Sequence, residues 1–183
     1  MVYLFLADGC EEIEALTPVD LLRRVGIEVK TVGIGSKSVT GSHGIKIEAD
    51  MTDKEAEAEL QSGKEFEMIV LPGGMPGTLN LDASPVVDKF ISTANEKDAY
   101  IAAICAAPTI LGKRGLLKGK MATCYPGMED KLTGAEVYSS DVILDCNIIT
   151  ARGMGVATEF ALQIVECLTD EETAAKLRDG IIA

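Results

Sequence analysis

One histidine, His43, serves the whole 183-residue chain. A Cys-His or Ser-His hydrolase needs an imidazole beside its nucleophile. That class would rest on His43 alone, and its Ser42-His43-Gly44 setting reads as a surface turn, so a hydrolytic triad is disfavoured. Basic residues are also scarce, 17 against 29 acidic, for a net charge of −12. Such a chain repels phosphate backbones and anionic lipid, which speaks against nucleic acid and membrane as partners. No apolar run approaches the roughly 18 residues of a membrane span. Met1-Val2-Tyr3-Leu4-Phe5-Leu6 lacks a basic flank and soon meets Asp8, so it reads as a first strand and not as a signal peptide.

Paired cysteine motifs are missing too. Cys10, Cys105, Cys124, Cys146 and Cys167 are odd in number and scattered, with no Cys-x-x-Cys and no nearby histidine cluster. A disulfide framework or a zinc site is poorly supported, no metal is expected, and a reducing compartment, the cytosol, fits best. The nucleotide loops fail as well. Gly73-Gly74-Met75-Pro76-Gly77 lacks the G-x-G-x-x-G spacing, and Gly33-Ile34-Gly35 meets Ser38 where the third glycine belongs. Gly119-Lys120 has neither the upstream glycine nor the downstream Ser/Thr of a P-loop. No cofactor is expected.

What is present is the composition of a globular protein, 47% hydrophobic and 25% charged, and a length that suits one domain over 1–183. Short apolar runs alternate with helical patterns. Strands are expected at Val2-Leu6, Ile27-Gly33, Met68-Leu71 and Tyr100-Ile104, with a hairpin over Val39-Ile47 and short late strands near residues 121–123, 136–138, 142–144 and 148–150. Helices are expected from about Glu11 to Val25, Thr52 to Ser62, Ser84 to Glu96, Ala106 to Leu111 and Gly155 to Leu168. Thr17-Pro18-Val19-Asp20 either restarts the first helix or bends it. The acidic stretch from Glu48 to Glu67 reads as a solvated helix face and linker. Strands buried on both faces and separated by helices predict an α/β sandwich around a mainly parallel sheet, with ligand chemistry at the strands' carboxyl ends.

Three loops lie there: Ala7-Asp8-Gly9-Cys10-Glu11, Leu71-Pro72-Gly73-Gly74 and Ile104-Cys105-Ala106-Ala107-Pro108. Cys105 leaves a buried strand straight into a short helix, the geometry of a nucleophile elbow. A helix N-terminus favours thiolate and predicts a lowered thiol pKa. The Ala106 amide would point at an oxyanion, with a second donor from the Gly73-Gly74 loop. The competing reading is an inert core cysteine packed beside Ile104. With no imidazole at hand, an acid-base partner must be a carboxylate. Glu11, Glu12 and Glu14 stand at the same sheet edge, and composition does not choose among them.

Gly9-Cys10-Glu11-Glu12-Ile13-Glu14, Pro18-Val19-Asp20-Leu21-Leu22-Arg23-Arg24, Val70-Leu71-Pro72-Gly73-Gly74 and Ala102-Ala103-Ile104-Cys105-Ala106-Ala107-Pro108 resemble the ThiJ/PfpI superfamily, and within it the DJ-one branch. Thr150-Ala151-Arg152-Gly153 and Glu159-Phe160-Ala161-Leu162 extend the match over the chain. The resemblance implies a flavodoxin-like three-layer sandwich and a homodimer. It implies Cys105 as nucleophile and redox-active thiol, Glu14 as the acid bonded to it, and Gly74 and Ala106 as backbone oxyanion donors. Arg24, His43 and Tyr125 become contributors to the pocket or the dimer interface. The branch's activities include glutathione-independent glyoxalase, repair of glycated molecules, peroxide sensing and chaperone-like holding. A small reactive carbonyl is thus the implied substrate, and a non-catalytic redox sensor the alternative. Three positions depart from the pattern: Tyr125 replaces a histidine, His43 an arginine, and Met154 the proline of an Arg-Gly-Pro-Gly turn.

Overall fold

The computed structural model describes residues 1–183. Apolar residues fill β1 (Val2–Leu6), and all five are buried. Alternate side chains of a strand leave opposite faces. Val2, Leu4 and Leu6 therefore join one core, while Tyr3 and Phe5 join another. After β1 come α1 (Glu12–Arg24) and β2 (Val29–Gly33), the latter parallel to β1. The expected hairpin pairs β3 (Ser38–Thr40) with β4 (Lys46–Glu48). β5 (Met51–Thr52) leads into α2 (Asp53–Gln61), whose first turn is closed by a capping box between Thr52 and Glu55. Then follow β6 (Met68–Leu71), α3 (Gly77–Asp82), α4 (Pro85–Glu96), β7 (Tyr100–Ile104) and α5 (Pro108–Lys113). A small parallel pair, β8 (Met121–Ala122) and β9 (Glu136–Val137), precedes β10 (Val142–Asp145) and β11 (Ile148–Ala151). The last elements are α6 (Ala157–Leu168) and α7 (Glu171–Ile181).

The main sheet runs β10-β11-β7-β6-β1-β2-β5 and is parallel except at β10. Two cores of 26 buried residues each cover its faces, which makes the flavodoxin-like three-layer sandwich. From β1 the chain winds outward through β2 and β5. It then returns to β6 on the other side of β1 and winds the opposite way to β7 and β11. The crevice where winding reverses, between β1 and β6, is where such sheets bind ligands.

Four details differ from the sequence expectation. α1 runs unbroken through Pro18. A proline inside a helix costs about 3 kcal/mol, and burial of Val19, Leu21 and Leu22 on the side facing α6 outweighs this at roughly 1.5–3 kcal/mol each. α5 begins at Pro108 and not at Ala106, because residues 105–107 form a turn. A single 3-10 turn, Met154–Val156, precedes α6, which starts two residues later than expected. α3, β5 and α7 were not anticipated. α7 buries only Ala174 and Leu177, too thin an apolar stripe to stand out in the sequence.

Phe90 of α4 meets Tyr3, Phe5 and Phe66 at ring-centroid distances of 4.9, 5.1 and 5.5 Å. Removing so central a ring leaves a cavity. Phe90→Ala should lower unfolding stability by about 3–5 kcal/mol. Urea titration reads this, and a loss below about 1 kcal/mol would contradict a core organised on this ring.

Candidate active site

β7 ends in an abrupt change of direction. Cys105 takes φ +65°, a left-handed conformation that non-glycine residues rarely adopt. The surroundings hold it there. Its N–H donates to the Ala151 carbonyl of β11 at 2.8 Å, and its carbonyl accepts from the Tyr125 N–H at 2.8 Å. The Ala107 N–H closes the turn on the Ile104 carbonyl at 3.0 Å. Backbone strain fixed by neighbouring strands is a mark of a site rather than of a packing cysteine.

The carboxylate left open by the sequence is Glu14, in the first turn of α1 and 1% exposed. Its Oε2 accepts from the Gly73 N–H at 2.9 Å, and its carboxyl is hydrogen-bonded to the Cys105 thiol. Gly73 is required by closeness. A β-carbon on it would stand 2.7 Å from the Cys105 Cβ and 2.8 Å from Glu14 Oε2. Gly74 is required twice over, by φ +86° and by the Glu11 nitrogen 2.3 Å from where its β-carbon would be. The Gly74 and Ala106 amides face the Cys105 sulfur. So the loops after β1, β6 and β7 meet at one point, as anticipated. The sequence reading missed that the two glycines divide the work, Gly73 serving the carboxyl and Gly74 the thiol. Nothing in one sequence separates adjacent glycines.

Burial pushes Glu14 up to about 7, against the pull of its bonds to Cys105 and Gly73. Burial, then the Glu14 charge and its hydrogen bond, push the Cys105 thiol up to about 12, against the Gly74 and Ala106 amides. This corrects the expectation of a thiol lowered by a helix N-terminus. α5 is six residues long and starts three positions beyond the sulfur, and a short dipole loses to desolvation. Both shifts have one root: the pocket tolerates one negative charge and not two. Glu14 and Cys105 therefore share a proton and titrate as a pair.

The other carboxylates do different work. Glu12 is buried, which would raise it, but hydrogen bonds from the His43 ring and from the His43 and Ile45 amides bring it down to about 2. His43 is exposed, its Nδ1 3.0 Å from Glu12 and 3.5 Å from Glu11. That hydrogen bond to Glu12 and both charges raise its pKa. Its partners are these two acids and not Cys105. Donor atoms of Glu11, Glu12 and His43 lie within 4.8 Å of one another, a spacing that could hold a metal ion. Glu12, however, already spends its oxygens on His43 and Ser42.

Arg24 does not join the pocket. It sits ten residues beyond Glu14, at the far end of α1 and roughly 15 Å along the axis, and pairs with Asp20 at 2.7 Å. Tyr125 does join it. Its backbone holds Cys105, and its half-exposed ring passes over Gly153. Gly153, absent from the sequence-derived site, stands beside both Cys105 and Glu14; its place in the Thr150-Ala151-Arg152-Gly153 match and the departure at Met154 were the hints. No helix is long and apolar enough to cross a membrane.

A left-handed cysteine at a strand end, beside a buried glutamic acid near the switch point of a doubly wound sheet, places the chain in a class of α/β proteins with a cysteine and an acid paired at the strands' carboxyl ends. Within it, this chain belongs to the DJ-1/PfpI family, whose pattern matches residues 1–167. It is 38% identical over 182 residues to Protein dj-1beta of Drosophila melanogaster, covering 98% of this chain and 95% of that one. It is 34% identical over 172 residues to the glutathione-independent glyoxalase DJR-1.2 of Caenorhabditis elegans, covering 93% and 89%. The structure of oxidized Toxoplasma gondii DJ-1 superposes with a TM-score of 0.92 at 33% identity, over 99% of this chain and 97% of that one.

The raised pair sets the sign of a pH effect. Between 4.5, where an ordinary glutamate titrates, and about 7, the folded chain keeps a proton that the unfolded chain releases. The stability tied to that proton is whole below the lower value and lost as pH rises through the upper one. Glu14→Gln has no such proton and should flatten the decline. Denaturant midpoints across this window decide it, and parallel curves for the two proteins would refute the shared proton.

Proposed function

We propose that this chain is a stress-response enzyme that converts small α-oxoaldehydes, such as methylglyoxal, to 2-hydroxy acids without glutathione. The observation that carries this is the hydrogen-bonded Glu14–Cys105 pair with Gly74 and Ala106 amides at the sulfur. Cys105 sulfur adds to the aldehyde carbon, and the thiol proton, relayed by Glu14, ends on the aldehyde oxygen as a hemithioacetal. Glu14 then removes the proton from that carbon and returns it to the neighbouring ketone carbon, while the hemithioacetal hydroxyl gives its proton to the ketone oxygen. The electron pair moves within the substrate, leaving a thioester that water hydrolyses to the hydroxy acid and free thiol. The sum is α-oxoaldehyde plus water to 2-hydroxy acid: the aldehyde carbon is oxidised and the neighbouring ketone carbon reduced, with no external oxidant. A base near neutrality suits such transfer, and a glutamate held at about 7 is one. Gly74 and Ala106 are assigned to the oxyanion, where one donor is worth about 2.7–4 kcal/mol of barrier.

A second reading has its own support. Amides that face a sulfur also stabilise a sulfinate, so the same thiol suits a peroxide sensor. One experiment separates the two. Methylglyoxal turnover should vanish in Cys105→Ala and fall about 10²–10⁴-fold in Glu14→Gln. A wild type that does not turn over, yet oxidises at Cys105 ahead of the other four cysteines, would replace the enzyme by the sensor.

The chain is further assigned to the cytoplasm, in keeping with five unpaired cysteines, and to a homodimer. Ile13 and Leu16 leave an apolar strip exposed on α1, a surface on which a strongly acidic chain can associate. Light scattering should give about twice 19.4 kDa. A monomer at micromolar concentration would overturn the dimer.

A further inference from the structure

Glycines crowd this site, and all but one are explained by geometry. At Gly73, Gly74 and Gly77 an added β-carbon would come within 2.3–2.8 Å of other atoms. Gly153 is different. Its φ of 161° and ψ of −172° are extended backbone that any residue adopts. A β-carbon there would meet the Tyr125 Cδ2 at 3.5 Å, the Cys105 Sγ at 3.9 Å and Glu14 Oε1 at 3.9 Å, all ordinary contact distances. Neither conformation nor packing asks for glycine. What the missing side chain leaves is space, equidistant from the nucleophilic sulfur and the carboxyl oxygen.

We infer that Gly153 sets substrate size: its absent side chain leaves the room in which the carbonyl group stands between Cys105 and Glu14, and the Tyr125 ring closes that room from outside. The inference rests on the reading of Cys105 and Glu14 as the reacting pair and names the substrate class more closely. A reacting carbon must come within about 3–3.5 Å of sulfur before the bond forms. An atom 3.9 Å from Sγ then touches the group beyond that carbon, and one equally near Oε1 lies on the path the proton takes. The substituent on the ketone carbon of an α-oxoaldehyde occupies this place. A hydrogen or methyl fits between Gly153 and Tyr125, and a branched or aromatic group does not. The preferred substrates are therefore uncharged two- and three-carbon oxoaldehydes.

Gly153→Ala tests this without relying on turnover. Cys105 modification is followed by peptide mass spectrometry with three reagents of rising size: hydrogen peroxide, iodoacetamide and N-ethylmaleimide. Overfilling a site by one carbon costs roughly 1–3 kcal/mol, which is about tenfold to a hundredfold in rate. The variant should melt as wild type does and react with peroxide at an unchanged rate. It should slow about tenfold toward iodoacetamide and about a hundredfold toward N-ethylmaleimide. Tyr125→Ala should shift the series the other way, favouring the largest reagent. Where oxoaldehydes are turned over, kcat/KM in Gly153→Ala should fall less for glyoxal than for methylglyoxal, with phenylglyoxal a poor substrate of both proteins. A wild type without turnover defeats the enzyme reading alone, since the thiol series still reports on the space. Equal slowing toward all three reagents, no slowing toward any, or a variant that fails to fold would each overturn the role given to Gly153.

Discussion

A carboxyl group at 1% exposure must have its hydrogen bonds supplied by the protein, and the site of this protein is built around that demand. The Gly73 N–H supplies one of Glu14's bonds and the Cys105 thiol another. Each bond crosses between elements that sequence alone keeps apart: α1 follows β1, Gly73 follows β6, and Cys105 follows β7. The parallel pairing of β1, β6 and β7 brings their carboxyl ends level, and the glycines let the loops touch. The Gly73 carbonyl in turn accepts from the Glu11 N–H at 3.0 Å, which pins the start of α1 to the same loop. Loss of the Glu14 contact would release both the thiol's partner and the entry into α1.

Much of this was legible beforehand, for reasons specific to each element. β1, β6 and β7 are short apolar runs ended by glycine, proline or polar residues, and two-sided burial admits no other pattern. Ser84-Pro85 marked the start of α4 because a capping hydroxyl and a first-turn proline fit only there. Cys105 stood out because a strand meets a turn at that residue. The choice among Glu11, Glu12 and Glu14 was not legible from the residues. It depends on a rotation of about 100° per residue around α1, which turns position 14 inward to the thiol and position 12 toward the hairpin. The family resemblance singled out Glu14, the one of the three that lies against the thiol. It offered Arg24 to the pocket or the dimer interface; the far end of α1 lies away from the strand ends, which leaves Arg24 only the interface.

The balance of forces on the thiol was also beyond the sequence. A helix start next to a cysteine argues for easy ionisation, and that inference fails once the helix begins at Pro108 and the partly buried sulfur lies beside a buried acid. Two amides stabilise charge at sulfur, but the desolvation they oppose is larger. The proton shared by Glu14 and Cys105 is thus a consequence of burial and not of any special affinity of either group. It is also what would suit the pair to the proposed proton transfer, because a group that holds its proton near neutrality can give it up and take it back.

The acidic surface fits this picture. Glu11 and Glu12 stand at the same end of α1 as Glu14, and the Glu11 charge adds to the rise of Glu14. His43, the one basic group beside them, is already paired with both. An anionic ligand would approach through this field at a cost, whereas a neutral aldehyde meets no such barrier. With Gly153 in the proposed role, charge at the mouth and space at Gly153 would select in the same direction, one against anions and the other against bulk. The substrate proposed to pass both is a small uncharged carbonyl compound, which would need from the site only a sulfur, a proton carrier and donors for one oxygen.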